Sequence, residues 1–347
     1  MHSPVNDRRR KSDVTHKSPR STRINFALLM VGGLASMSAQ AQPTSPTTGG
    51  PTKPMRIIVG FLPGGGSDLI ARTVGQRLSE RIGQPVLVDN RPGAGGSIGT
   101  EMAVRATPDG NTLLLGSTSE IAINPWVYKL SYDPVRELVP VAMVASTPML
   151  VVVTPSLAPR TLKELVDLAR AKPGQLNYAS VGTGTILHLA GELFRMQTGT
   201  DMLHVPYKGS PPALADVATG QVQLMFPTVP AAATLVKAGR VRALAVSATR
   251  RNATLPDVPT SAESGVAGFL VEHWYALFAP AGTPAATLGR LQSEIQAIVR
   301  TPEYGASLLA QGFDAPTTSP AELPALVRSE AARWGKAVTV SGAKIEQ

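Results

Sequence analysis

The stretch Ile57-Ile58-Val59-Gly60-Phe61-Leu62-Pro63-Gly64-Gly65-Gly66-Ser67-Asp68 carries an apolar run into three consecutive glycines. Beyond it, Leu69, Ile70, Thr73, Val74 and Arg77 follow a helical period. The segment therefore reads as strand, tight loop and helix N-terminus. Glycines let backbone N–H groups approach a ligand closely. The first turn of a helix has unpaired donors and the positive end of its dipole, so the place suits an anion. A tight turn with Asp68 capping the helix explains the same residues. One loop alone does not separate the two readings.

Two more segments have this chemistry. They are Asn90-Arg91-Pro92-Gly93-Ala94-Gly95-Gly96-Ser97 and Ser180-Val181-Gly182-Thr183-Gly184-Thr185. Each follows a strand pattern and precedes a helix pattern, as the first does. Together they suggest a cleft lined by backbone amides and small hydroxyls. None reads GxGxxG or GxxxxGK[ST], which argues against dinucleotide and P-loop sites. Arg91 can pair with a carboxylate or be a solvated loop arginine. Lys208, in His204-Val205-Pro206-Tyr207-Lys208-Gly209, follows a fourth strand, and an exposed lysine is its default reading.

From Met55 onward, strand and helix patterns alternate. The expected class is α/β, with mostly parallel sheets flanked by helices. Val139–Val153 reads as one long β-rich stretch broken at Pro148. Glu272–Ala279 reads as a strand, and short helices follow Val299 to about Lys336. In such sheets ligands bind beyond the carboxyl ends of the strands.

The 347 residues include no cysteine, which excludes disulfides, thiolate nucleophiles and cysteine-held metals. The basic segment Arg8–Arg23, the apolar run Ile24–Ala35 and Ala39-Gln40-Ala41 form the three parts of a secretory signal peptide. Cleavage is expected near Ala41, followed by a lead-in over 42–53. Removing 1–41 leaves 26 Lys and Arg against 22 Asp and Glu, so the net charge falls from +9 to +4. A nucleic-acid partner loses most of its support. An exported chain with no cysteine for a lipid anchor is expected to be soluble in the periplasm.

Catalytic signals are weak. His188, His204 and His273 form no HExxH or HxH pattern. Acidic residues are scattered without metal-ligand spacing, and neither metal nor cofactor is expected. At 5% aromatic residues, the chain is poorly equipped to stack sugars.

Several segments together resemble the Bug family, the substrate-binding proteins of tripartite tricarboxylate transporters. They are Phe61–Asp68 (family FPPGGxxD), Asp89–Gly96 (ENRPGAGG), Pro108–Gly116 (PDGYTLLLG), Ile123–Pro134 (INPxLYxxxYDP) and Ser180–Leu189 (SxGxGSxxHL). Val205–Pro212 (VPYKGxxP), Ala238–Ser247 (AGxxRALAVS), Pro259–Gly265 (PTxxESG) and Ala279–Pro284 (APAGTP) follow. Their order and spacing cover nearly all of residues 54–335.

The resemblance implies a two-domain periplasmic binding protein of the type II kind, with a ligand cleft between the domains. Residues 54–150 plus 274–347 would form one domain and 151–273 the other. Hinges would lie near Pro148–Val153 and Glu272–Ala279. The implied ligand is a small organic carboxylate, and the implied partners are membrane transporter subunits, with the receptor itself monomeric. One ligand carboxylate would be held between Phe61, Leu62, Pro63, Gly64, Gly65, Gly66, Ser67 and Asp68 and the opposing Ser180, Gly182, Thr183, Gly184 and Thr185. Asn90, Arg91, Gly93, Ala94, Gly95, His188, Lys208 and Pro227 complete the candidate set. Leu62 replaces the first family proline. Pro227 stands where the family usually has Asp, which argues against amino-acid ligands. Other readings are a ligand-sensing module for a two-component system and an exported hydrolase using His188 with Ser180 or Thr185.

Overall fold

The computed structural model describes residues 53–342. The expected signal peptide and nearly all of the lead-in lie outside the described residues. Ten strands form two five-stranded sheets. The first contains β1 (Met55–Val59), β2 (Val86–Asn90), β3 (Thr112–Ser117), β4 (Leu138–Pro148) and β10 (Glu272–Pro280), in the order β2-β1-β3-β10-β4. The second contains β5 (Leu150–Val153), β6 (Asn177–Ser180), β7 (Leu203–Pro206), β8 (Leu224–Met225) and β9 (Arg242–Val246), in the order β7-β6-β8-β5-β9. The two orders have one pattern.

Each sheet is mixed, and for one reason. In the first, β1 is parallel to β2 and β3, while β10 is antiparallel to both β3 and β4. In the second, β6 is parallel to β7 and β8, while β5 is antiparallel to both β8 and β9. The reversed strand in each sheet is the one entering from the other sheet. β5 follows β4 after Met149 alone. The long β-rich stretch expected over Val139–Val153 is thus two strands in two sheets.

The crossing is tied by a compact set of hydrogen bonds. Met149 N–H donates to the Val271 carbonyl at 3.2 Å, Ser247 N–H to that of Met149 at 2.8 Å, and Val271 N–H to that of Ser247 at 3.1 Å. The buried Ser247 hydroxyl lies 2.7 Å from the Val271 carbonyl and accepts the Met149 N–H at 3.0 Å. Buried backbone polar groups need such partners. Here two chain crossings satisfy one another.

The central strands are buried on both faces, as βαβ crossovers require, while the edge strands β2 and β7 are partly exposed. Ile57 and Val59 pack with Ile70, Val74 and Leu78 of the helix Gly66–Ile82. Ile58 on the opposite face joins a larger cluster that continues into the second domain through Leu150, Val151, Val152 and Val153 of β5 and also holds Trp334 and Val338. The last two belong to the 19-residue helix Leu323–Ser341, where short helices were expected. Gly335 interrupts its apolar pattern for a packing reason. A Cβ there would stand 2.4 Å from Trp126, whose indole N–H donates to the Ala331 carbonyl at 2.8 Å.

Gly60, at the end of β1, meets the second glycine loop backbone to backbone. A Cβ on it would lie 2.7 Å from Gly96 Cα, and one on Gly99 would lie 2.9 Å from Gly60 Cα. Backbone cannot step aside as a flexible side chain can. Gly60→Ala is expected to destabilise the protein by about 1–3 kcal/mol, the usual cost of overpacking. Ser247→Ala is expected to cost about 1–3 kcal/mol, because it leaves buried groups at the crossing short of a partner. Urea unfolding with an unchanged m-value checks both.

Candidate functional site

In both sheets the crossing strands meet their neighbours at the carboxyl ends of the parallel strands. Tyr275 of β10 pairs with Ser117 at the end of β3, and Val152 of β5 pairs with Met225 at the end of β8. The loops after β1, β2, β3, β6, β7 and β8 therefore lie at the edges where the sheets join. The expected candidates fall on these loops or on the strand and helix ends that flank them; Asn90, expected to open a loop, is the last residue of β2.

In the first loop, the helix begins at Gly66, with Gly65 as N-cap in extended conformation. Asp68 sits inside the first turn, buried, where its carboxylate accepts Gly64 N–H at 2.9 Å and Arg72 Nε–H at 3.0 Å. Burial alone would raise its pKa, but the Arg72, Gly64 and Asn90 contacts outweigh this and lower it. Asp68 thus closes the loop on itself as an anion. The amides of Gly66, Ser67 and Asp68 have no protein acceptor among the described residues. Phe61 is half-buried, and Leu62, Pro63, Gly64 and Gly65 are exposed.

The second loop is joined to the first by Asn90, which donates to the Phe61 carbonyl at 3.0 Å. Arg91 is engaged by Asp89 at 2.8 Å. Gly93, Ala94, Gly95 and Gly96 all have positive φ, with Ala94 the only such non-glycine residue among the described residues. Asn124 donates to the Gly95 carbonyl at 2.9 Å. Ala94 lies with Ile98 and Tyr128 along a separate shallow groove.

The third loop has a different internal economy. Ser180 is fully buried, and its hydroxyl lies 2.6 Å from His204 Nε2 while accepting Gly182 N–H at 3.0 Å. Gly184 N–H donates to His188 Nδ1 at 3.1 Å. Thr185 is the N-cap of the helix Ile186–Thr198; its hydroxyl accepts His188 N–H and donates to the Gly182 carbonyl at 2.7 Å. The amides of Gly182 and Gly184 are therefore taken within the loop. Those of Thr183, Ile186 and Leu187 have no acceptor among the described residues. Gly184 faces Val127 of the first domain, since a Cβ on it would lie 2.5 Å from that side chain. The first and third loops make no hydrogen bond to each other among the described residues. Lys208 is exposed. Pro227 is buried, and its carbonyl accepts Leu150 N–H at 2.7 Å.

Sequence reasoning assigned no site role to Phe313 or Glu120, and read Tyr275 as either bordering a cleft or packed in the core. A Cβ on Gly66 would lie 3.1 Å from the Phe313 ring and 3.5 Å from the Tyr275 hydroxyl, so both side chains border the first loop. Burial, followed by the nearby Glu120, pushes the Tyr275 pKa up. Glu120 is wholly buried behind Gly96, and burial pushes its pKa up to about 7. The Ser117-x-x-Glu120 spacing is a capping-box signal that could have located it.

The buried His188 and His273 and the half-buried His204 make the fold acid-sensitive. Burial, with Arg195 adding to it, lowers His188 to about 4. Burial and then His188 lower His204 to about 4, and burial lowers His273 to about 3. A folded-state pKa below the unfolded value near 6.5 gives stability present above pH 6.5 and lost as pH falls toward 4. Glu120 acts oppositely, losing stability as pH rises through 4.5–7, but it is one group against three. Unfolding near pH 5 should therefore take up about two protons. The melting temperature is expected to climb between pH 4.5 and 6.5, and a flat profile would contradict these assignments.

The chain matches the family model described as the tripartite tricarboxylate transporter family receptor over residues 70–342. It is 34% identical over 324 residues to Protein BugT of Bordetella pertussis, covering 92% of this chain and 98% of that protein. Rpa4515 of R. palustris, solved with adipate, is 36% identical, with a TM-score of 0.76 over 85% of this chain and 99% of that one. MatC of Rhodopseudomonas palustris, solved with bound malate, is 30% identical, with a TM-score of 0.72 over 83% of this chain and 99% of that one. The extent of these matches, over a fold of two α/β domains whose glycine loops lie at the joined sheet edges, places this chain in the tripartite tricarboxylate transporter receptor family.

Proposed function

We propose that this receptor captures a small organic carboxylate between its domains in the periplasm and delivers it to membrane transporter subunits. The observation that carries the reading is a pair of open helix N-termini. The helices Gly66–Ile82 and Ile186–Thr198 begin at the carboxyl ends of β1 and β6, and each leaves first-turn amides without an acceptor. Donors at two such ends suit a carboxylate held from both sides. In this reading Gly66 and Ser67 offer one set of amides, and Thr183, Ile186 and Leu187 the other. Asn90 and Asp68 hold the first loop in shape. The adipate and malate held by the two R. palustris relatives support a dicarboxylate. Leu62, at 69% exposure, offers an apolar contact for its chain.

Closure would bend the chain at the β4–β5 crossing and before β10, moving 151–273 against 54–150 and 274–347. Differential affinity for the closed state would drive it. The role is binding and not catalysis. The Ser180 hydroxyl is paired with His204, not His188, and is fully buried, so a substrate carbonyl has no path to it. A monomer suffices, because both proposed jaws come from one chain.

Calorimetry of the exported form against mono-, di- and tricarboxylates and aromatic acids tests the reading. A response to at least one carboxylate is expected. Silence toward all of them, with a response to sugars or cations, overturns it. Gly66→Pro removes one proposed donor while keeping the helix start, because Pro suits the first helical position and Gly65 is already extended. The Phe313 ring must yield by a few tenths of an ångström. Affinity for the responding carboxylate should fall by about tenfold, one positioned hydrogen bond, with folding retained.

A further inference from the structure

A stacked histidine pair lies directly behind the third loop. The His188 and His204 rings are 3.9 Å apart between centroids and inclined by 25°. Tyr178 of β6 stacks against His204 at 5.1 Å, and its hydroxyl donates to Glu192. Arg195 holds both oxygens of Glu192 at 2.9 Å. The pair is therefore fixed from behind by an aromatic ring and a buried ion pair.

Each ring takes hold of one polar group of the loop. His188 Nδ1 accepts Gly184 N–H, so that nitrogen carries no proton and the ring proton belongs on Nε2. Nε2 lies 3.9 Å from Glu192 Oε1. His204 Nε2 meets the Ser180 hydroxyl, whose oxygen in turn accepts Gly182 N–H. The Gly182 and Gly184 amides are thus drawn inward. Both glycines have positive φ, at 128° and 79°, and the intervening Thr183 is left exposed.

We propose that His188 and His204 are positioning residues of the ligand site. They pull the Gly182 and Gly184 amides toward the domain interior, which turns the Thr183, Ile186 and Leu187 amides into the donor set offered to a carboxylate. Neither ring touches the ligand itself. The inference rests on the carboxylate-holding role proposed for this loop. It adds that the loop has the right shape only while His188 Nδ1 is an acceptor.

The test uses the exported form labelled with ¹⁵N-histidine and ¹⁵N-glycine, with adipate and malate as probes. At pH 7 the His188 ring should show an unprotonated Nδ1 and a protonated Nε2, with a hydrogen-bonded Gly184 amide. His188→Asn places an oxygen near Nδ1 and should keep the Gly184 amide signal and probe affinity within about threefold. His188→Leu fills the space without an acceptor. It should shift the Gly184 amide upfield and weaken probe binding by about tenfold or more. His204→Gln should retain binding through the Ser180 hydroxyl, and His204→Leu should not. A Gly184 amide unchanged in His188→Leu, or a His188 ring protonated on Nδ1, overturns the proposal. So does His188→Leu binding the probes as the parent does. If the parent binds no carboxylate, the functional reading fails, and the Gly184 and ring-nitrogen signals still decide whether the histidines shape the loop.

Discussion

The hydrogen-bonded knot of Met149, Ser247 and Val271 is the constraint on which the rest of the structure depends. It lies where the chain passes between the sheets, and it sets which strand of each sheet runs backwards. β10 enters the first sheet and β5 the second from this point, each antiparallel to its neighbours. The carboxyl ends of the parallel strands are consequently brought to the joined edges of both sheets. The glycine loops follow those ends. Their placement at these joined edges is a consequence of the crossing and needs no contact between the loops themselves.

The parts of the fold written in local pattern were legible in the sequence. The apolar run Ile57–Val59, the glycines and the amphipathic continuation marked a strand, loop and helix. Asn90, expected to open a loop, is the last residue of β2, and Thr185 caps the helix that follows its loop. The sheet switch inside Val139–Val153 was marked only by Pro148, because Met149 is as apolar as the strands beside it and its partners Ser247 and Val271 lie about a hundred residues away. The helix Leu323–Ser341 was obscured by Gly335, whose missing side chain makes room for Trp126. A helix period records burial against a face; it does not record where an indole needs a gap.

The candidate site was less legible than the fold. The glycine loops could be located, but which of their amides remain open is decided by side chains distant in sequence. His204 reaches the Ser180 hydroxyl across 24 residues, and no spacing rule connects a residue on β7 to the end of β6. Glu120 and Tyr275 stand behind the first two loops in the same way. Arg91, a natural carboxylate partner by composition, is instead engaged by Asp89. Charge in a loop sequence does not say whether the charge is already used.

Recognition by backbone donors, as proposed, would also explain why the family motif points to a ligand class before it points to one ligand. Amides at a helix start favour any carboxylate, and neither loop offers an open cationic side chain to grade one acid against another. Discrimination then falls to what surrounds the bound group: the exposed Leu62, the Tyr275 hydroxyl beside Gly66, and Pro227 at the end of β8. Pro227 places no carboxylate there, so a ligand ammonium would find no counter-charge from that position. A loop whose inward amides are already held by His188 and Ser180 spends less ordering entropy when the carboxylate arrives. In the proposed reading, the polar cluster behind it would contribute to affinity without contacting the ligand.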